Sequence, residues 1–470
     1  VKDIARDNDS YYGSMARLHG SAFYTVGMLP EEDPTVPDSL VEYAQENIAL
    51  ENTSIVESTF LEAEGVRPCI YPILSGAQGA GFPNVKVDSD GVRRRIDLLI
   101  EHDGYYYPQL ALSPLLHWLG PPEIVAEEDT LIIEGAEHPD EGKTDIEIPL
   151  TEEQHLLINW PQTTYQESFR HLSFYELVYN LELESRLIEN LEIMEEAGYL
   201  SYHEGDFAPM EAYRYAESIR EEVQNGGDPE LMSEYREVRI RFFEAVSSFL
   251  EGSAEQNIMD EIDSIISSGR LDEQTAQAYE SIKEEVPGVF EASREVMSKL
   301  RESRERLEKH VPGSFVIIGH VGTSTTDIGV TPFSEEYMNV GTHASLVNTI
   351  LQENFLDELP EWYGMVLAFV ASLIVTLLIW RMAPALSILV GTLFLLVVVG
   401  VDLGVFVGTG VYLPPVIPIF SVFFTFVALT AVKFIQTARD RAYIRNAFSH
   451  YLSSDVINDL LSDPDKLSLG

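Results

Sequence analysis

Arg93, Arg94 and Arg95 stand in a row behind the string DSDG (88–91). Three guanidinium groups so placed would hold an anionic ligand, unless neighbouring carboxylates claim them. In so acidic a chain, ion pairing is the expected use. His320, Asp327 and His343 form a second group, in which two imidazoles and a carboxylate would serve a ligand if their loops converged. Gly76, Gly79 and Gly81 are ordered GxxGxG, not the GxGxxG of a dinucleotide site, and turn glycines account for them. No GxxxxGK[ST] phosphate loop, HExxH or paired CxxC occurs. The single cysteine, Cys69, forms neither an internal disulfide nor a thiolate zinc site. The ligand-binding candidates are therefore Arg93, Arg94, Arg95, His320, Asp327 and His343, and no catalytic or metal-ligating set is expected within the chain.

The elements that would carry these groups divide by charge and hydropathy. The 470 residues hold 77 acidic and 30 basic side chains, a net charge of −47. Seven acidic and six basic residues lie in 361–470, which leaves 70 and 24 upstream, a net of −46. Such a surface repels polyanions, so nucleic acid is excluded as a partner. The C-terminal part instead carries three apolar runs, 363–380, 385–401 and 416–435, each about the length that crosses a bilayer core of roughly 30 Å as a helix. Arg381 lies between the first two runs, and Lys433, Arg439, Arg441 and Arg445 follow the third. Residues 311–360 and 402–415 have no Lys or Arg. Basic residues are retained in the cytoplasm, so residues 1–360 are expected outside the cell membrane and the C-terminus inside. Export of the outer part calls for a membrane segment ahead of Val1, and the sequence reads as lacking its natural start.

Within the outer part, residues 1–180 mix short strand-like runs (22–29, 96–100, 156–160) with Pro/Gly turns and a helix over 108–119. Turns are expected at 88–91 and 102–104. Residues 181–310 read as three or four antiparallel helices. One apolar stripe is Leu183, Leu187, Leu191 and Met194; another is Leu231, Tyr235, Val238, Phe242, Ala245 and Phe249. Residues 311–360 return to strand texture, with a buried strand at 314–319, a turn at Thr331-Pro332 and a helix over 341–351. The expected fold is an α/β extracytoplasmic sensor domain (1–180 and 311–360) with a large all-α insertion (181–310). Three transmembrane helices (361–435) and a cytoplasmic linker helix (436–470) follow.

Two stretches carry a family resemblance. GFPNVKVDSDGVRRRIDLLIEHDGYYYPQLALSPLLHWLG (81–120) and SFVIIGHVGTSTTDIGVTPFSEEYMNVGTHASLVNTIL (314–351) resemble the central and closing signatures of the type two CHASE domain, an extracytoplasmic sensor of bacterial cyclases, histidine kinases and other outputs. Residues 156–178 resemble the segment between them. The helical block is longer than that family's usual connection, and its opening membrane segment is absent from the chain. RDRAYIRNAFSHYLSSDVINDLLSDPDKLSLG (439–470) is similar to the linker before the catalytic domain of bacterial class III adenylate/guanylate cyclases.

The resemblance implies the sensory and membrane portion of a receptor cyclase in the bacterial inner membrane. Its catalytic domain, with ATP or GTP as substrate and Mg or Mn as cofactor, would begin after Gly470. It also implies a homodimer that responds to an unknown extracytoplasmic ligand or stimulus. Phe448, Tyr451, Leu452, Val456 and Leu460 would carry the signal along the linker. The rival readings are the same sensor on a histidine kinase or diguanylate cyclase, and a membrane scaffold with no enzymatic output.

Overall fold

The computed structural model describes residues 7–51, 53–56, 60–120, 122–139, 142–205, 207–228, 230–322 and 327–448. The strand-rich N-terminal region opens with α1 (Asn8–His19), β1 (Phe23–Leu29), α2 (Asp38–Asn47), β2 (Thr53–Ile55), β3 (Leu61–Glu62), β4 (Gly65–Pro68), the one-turn α3 (Tyr71–Leu74) and β5 (Gly79–Gly81). It continues through β6 (Arg95–Asp97), β7 (Leu99–His102), β8 (Tyr105–Pro108), α4 (Leu112–Trp118), β9 (Glu123–Ala126), β10 (Thr130–His138), β11 (Gly142–Pro149), β12 (His155–Leu157) and the one-turn α5 (Tyr165–Ser168). The strands form small sheets ordered β4-β1-β5, β11-β10-β9-β2, β3-β7-β8 and β12-β6.

The apolar run at 96–100 is two strands, not one, because the chain changes sheets at the buried Leu98: β6 pairs with β12, and β7 pairs with β3 and β8. The turn at 102–104 is a hairpin turn with Asp103 at φ 52° and Gly104 at φ 82°, the left-handed pair that suits a two-residue connection. The expected helix over 108–119 starts late. Pro108 stays in β8, and the Gln109 side chain accepts a hydrogen bond from the Ala111 amide before α4 begins.

Gly76, Gly79 and Gly81 prove to be points of close approach. A Cβ on Gly76 would lie 2.0 Å from the Gly13 carbonyl oxygen, and one on Gly81 would meet the Gln109–Leu110 backbone.

Five helices, not three or four, make up the helical block among the described residues: α6 (Phe174–Glu196), α7 (Pro209–Gln224), α8 (Leu231–Glu251), α9 (Ala254–Ser267) and α10 (Glu273–Glu308). The added breaks fall at Gly252-Ser253 and at Gly269, whose φ of +66° ends α9 in the left-handed region. The first apolar stripe and Val238, Phe242 and Phe249 of the second line one core with Met210, Ile258, Phe290 and Leu300, against which the partly buried Leu231 and Tyr235 pack. Glu184 reinforces it by accepting from Arg239 at 2.6 Å and from Arg304 at 2.7 Å, and the Arg304 guanidinium lies 3.7 Å from the Phe243 ring centre.

After the block, residues 314–320 form neither helix nor strand, which corrects the expectation of a buried strand at 314–319. Val316 and Ile318 are 59% and 75% exposed, since no described strand edge meets this segment. Then come β13 (Ile328–Thr331), β14 (Ser334–Met338), α11 (Val340–Leu351) and β15 (Asp357–Glu358). Tyr337, Leu346, Val347 and Ile350 pack in the same apolar cluster as Ile96, Leu115, Ile133 and Leu156, so segments on both sides of the helical block share one core.

Among the described residues, three helices long and apolar enough to cross a membrane come last: α12 (Glu361–Ile379), α13 (Pro384–Thr409) and α14 (Val416–Phe448). β16 (Val411–Tyr412) lies in the joint between the last two. α13 runs past the expected end at 401, so Asp402 lies inside a helix rather than in a joint. α14 contains the third apolar run and the basic stretch after it in 33 unbroken residues. No Gly or Pro follows Pro418 in it, and Pro418 itself falls in the first turn, where a missing N–H costs nothing. Gly391 allows α13 to approach the Phe426 ring of α14.

Candidate functional site

The ribbon formed by β6 and β12 builds the site. Its register pairs Arg95 with Leu157, Ile96 with Leu156, and Asp97 with His155. Side chains alternate across a strand, so Ile96 and Leu156 enter the core while Arg95, Asp97 and His155 share the opposite face.

On that face His155 Nε2 lies 3.2 Å from Asp97 Oδ1 and 3.1 Å from Lys86 Nζ. Lys86 also donates to Glu153 at 2.5 Å, and this bond holds the Glu153 carboxyl below the usual carboxylate range. Nε2 thus faces a donor and a carboxylate at once. Unprotonated it accepts from Lys86; protonated it donates to Asp97.

Beside this cluster, Asp88 Oδ2 accepts from Arg94 Nη1 at 2.9 Å and from Arg95 Nη1 at 2.8 Å. Arg94 also makes a two-pronged contact with Asp90 at 3.0 and 2.9 Å, which draws the Asp90 carboxyl down to about 2. Arg95 Nη2 reaches Glu358 Oε2 at 2.5 Å.

Glu358 lies in β15, which pairs in parallel with β16 so that Glu358 faces Tyr412. Leu157 of β12 bridges to Leu356, one residue before β15. A backbone path therefore runs from β6 through β12 and β15 to the joint between α13 and α14. Burial pushes the Tyr412 phenol up, the Glu358 and Asp402 carboxylates add to this, and Arg94 and Arg95 oppose it. The arrangement is a charged clamp between a sheet ribbon and a helix joint. Among the described residues no group of three His, Cys, Asp or Glu is arranged to hold a metal ion.

The fate of each candidate residue follows from this geometry. Arg94 and Arg95 are committed to carboxylates. Arg93 is separate: its amide donates to Val330, its guanidinium packs on Gly329, and its Nε is buried without a partner. His343 is buried on α11, where its Nδ1 is 2.7 Å from Gln109 Nε2, and burial lowers its pKa to about 4 against the pull of the Asp327 carboxylate. Asp327 and His343 are thus brought together. His320 sits exposed on the segment that forms neither helix nor strand. Phe448 ends α14, whereas Tyr451, Leu452, Val456 and Leu460 lie outside the described residues.

Sequence reasoning did not single out Asp88, Lys86, Asp97, His155 or Glu358 as members of one site. Alternation of Asp97 and His155 with the apolar Ile96 and Leu156 was the available signal. It also did not foresee Lys433, whose ammonium donates to the Ile379 carbonyl at the end of α12, to the Met382 carbonyl in the joint that follows and to Ser387 Oγ in α13. One side chain of α14 thus ties the other two apolar helices together.

Comparison with known proteins gives one family: residues 16–195 match the model of the CHASE2 domain. The match takes in the charged ribbon and α6 and stops short of α7, β15 and the apolar helices. No curated protein matches the chain, and no solved structure does. The CHASE2 domain is an extracellular sensor of cyclase- and kinase-associated receptors, so residues 16–195 are matched to a sensor and the chain continues into three helices fit to cross a membrane.

Proposed function

We propose that this chain is the sensory and membrane portion of a receptor adenylate/guanylate cyclase. Residues 1–360 lie outside the bacterial inner membrane, and the C-terminus lies in the cytoplasm. A stimulus alters the sensor, the Arg95–Glu358 contact carries the change to the α13–α14 joint, and α14 delivers it to a catalytic pair that makes cAMP from ATP or cGMP from GTP. Nucleotide and Mg or Mn belong to a catalytic domain that follows residue 470.

The observation that carries this reading is the position of Glu358, bonded to the sensor ribbon through its side chain and to the helix joint through its backbone. The unbroken α14 supports it from the other side, since 33 helical residues span about 50 Å against a bilayer core of roughly 30 Å. Its far end therefore projects from the membrane with Arg439, Arg441 and Arg445, the cytoplasmic signature. The similarity of 439–470 to a cyclase linker supports the choice of output.

The test is conversion of ATP and of GTP by membranes holding the complete reading frame, beside membranes holding residues 1–470, both with Mg²⁺ or Mn²⁺. Cyclic nucleotide from the longer protein alone is expected. None from either would overturn the cyclase output and leave a sensor serving a kinase or another enzyme.

A further inference from the structure

Helix α6 has two apolar faces. Leu183, Leu187, Leu191 and Met194 are buried in the helical block. Phe174, Val178 and Leu181, spaced by four and three, fall within an arc of about 60° on the opposite side. They are 63%, 45% and 66% exposed, and the adjoining Tyr175 is 62% exposed. A helix apolar on both sides is ordinarily covered on both.

The face is also poor in charge, in a chain of net −47. Between Ser173 and Leu181 the only charged residue is Glu176, and Arg306 of α10 pairs with it at 3.3 Å. Charge resumes at the next residue, Glu182, which pairs with Arg186 at 2.9 Å. Exposed apolar side chains on the other helices, such as Tyr215 and Ile240, lie among charged residues instead.

We propose that the Phe174–Tyr175–Val178–Leu181 face of α6 is where a second copy of this chain docks, α6 against α6, about a two-fold axis. The charge distribution selects that occupant. A basic partner would gain by binding the acidic surface, whereas two copies of −47 repel one another everywhere except on an uncharged face. Apolar cores with Tyr and Phe and a charged rim are the composition of such contacts. Four side chains of this size on each copy bury on the order of 1,000 Å², the low end for a specific interface. The proposal rests on the membrane-spanning reading, because helices held in one bilayer bring identical faces together at one height and raise their effective concentration.

The test uses the full chain in membranes. Cys69 is the only cysteine, so Cys69→Ser gives a clean background for Val178→Cys, Leu181→Cys and, as control, the exposed Glu244→Cys. Thiol cross-linking is expected to give a species of twice the chain mass at 178 and 181 and little at 244. Adding Leu181→Glu to Val178→Cys is expected to lower the dimer yield about tenfold, with resistance to proteolysis retained. Monomer alone, equal yields at all three sites, or adducts with another polypeptide or with lipid would overturn the proposal. Resistance of the chain to carbonate extraction is scored in parallel. Extractable protein would count against membrane spanning, whereas retained, folded, uncross-linked protein would count against the α6 contact alone.

Discussion

Arg95 of β6 and Glu358 of β15 are 263 positions apart in the chain and 2.5 Å apart in the fold. Their side chains are 23% and 26% exposed, so solvent screens the pair only in part. Arg95 is held from its other side by Asp88, which fixes the guanidinium before Glu358 reaches it. The contact thus has an anchored partner and a partner that sits directly before the first apolar helix.

Neutralising the second partner should separate stability from coupling. Glu358→Gln removes the charge and keeps the shape, and the expected cost to the sensor is about 1 kcal/mol, because Arg95 retains Asp88. The expected loss of regulation is larger than that. Thermal unfolding of the purified full chain reads the first quantity; on the proposed cyclase reading, cyclic-nucleotide output of membranes holding the complete reading frame reads the second. Unchanged regulation in a folded Glu358→Gln protein would remove this contact from the route.

His343 should give the protein a pH dependence of its own. Its folded pKa, about 4, lies below the unfolded value of 6.5, so on acidification the unfolded chain takes up the proton first. Stability is therefore full above about pH 6.5 and declines as pH falls toward 4, by about 3 kcal/mol if this group acts alone. Asp33 and Asp90, with carboxyls drawn down to about 2, add a decline that continues below pH 4. Denaturant midpoints between pH 4 and 7 for the parent and for His343→Gln are the measurement. The variant should flatten that window and leave the lower one.

Gly13 is expected to tolerate no side chain. A Cβ there would lie 1.8 Å from the Pro72 carbonyl oxygen, a backbone atom that cannot swing aside. Gly13→Ala should push α1 from α3 and destabilise by about 1–3 kcal/mol, whereas Gly20→Ala meets nothing within 4 Å and feels only its positive φ. Chemical denaturation of both variants checks the contrast.

Lys433→Met should loosen the three apolar helices at one end. The variant keeps the aliphatic stem and deletes three hydrogen bonds, to the Ile379 carbonyl at the end of α12, the Met382 carbonyl in the joint and Ser387 in α13. A loss of about 1–3 kcal/mol is expected, read as a lower midpoint of heat-induced aggregation in detergent. Lys433→Arg should recover part of it.

The apolar helices and most of the single elements were legible because each is set by its own local pattern. Three runs almost free of charge gave the three long apolar helices, and the helical texture of 341–351 gave α11. Pairings between distant segments were not. The run SFVIIG has strand composition, yet a strand requires an edge to pair with, and composition does not say whether one exists. The expected break at Asp402 came from a carboxylate followed by glycines, but Asp402 and Gly404 are carried inside α13. For the charged site, the commitment of Arg94 and Arg95 to carboxylates could be read from the DSDGVRRR string alone. Glu358 could not, since nothing in its neighbourhood refers to a strand formed more than 250 residues earlier.

On the proposed membrane-spanning reading, the unbroken course of α14 fixes what kind of message it can carry. Successive residues of an α-helix are turned by about 100°, and the helix is stiff in twist. A single residue inserted between Ile435 and Arg439 would swing everything beyond it through about 100° and advance it by only about 1.5 Å. Seven inserted residues would nearly restore the original facing while lengthening the helix by about 10 Å. On that reading the helix is a shaft whose angular phase, more than its reach, is the quantity it would hand on.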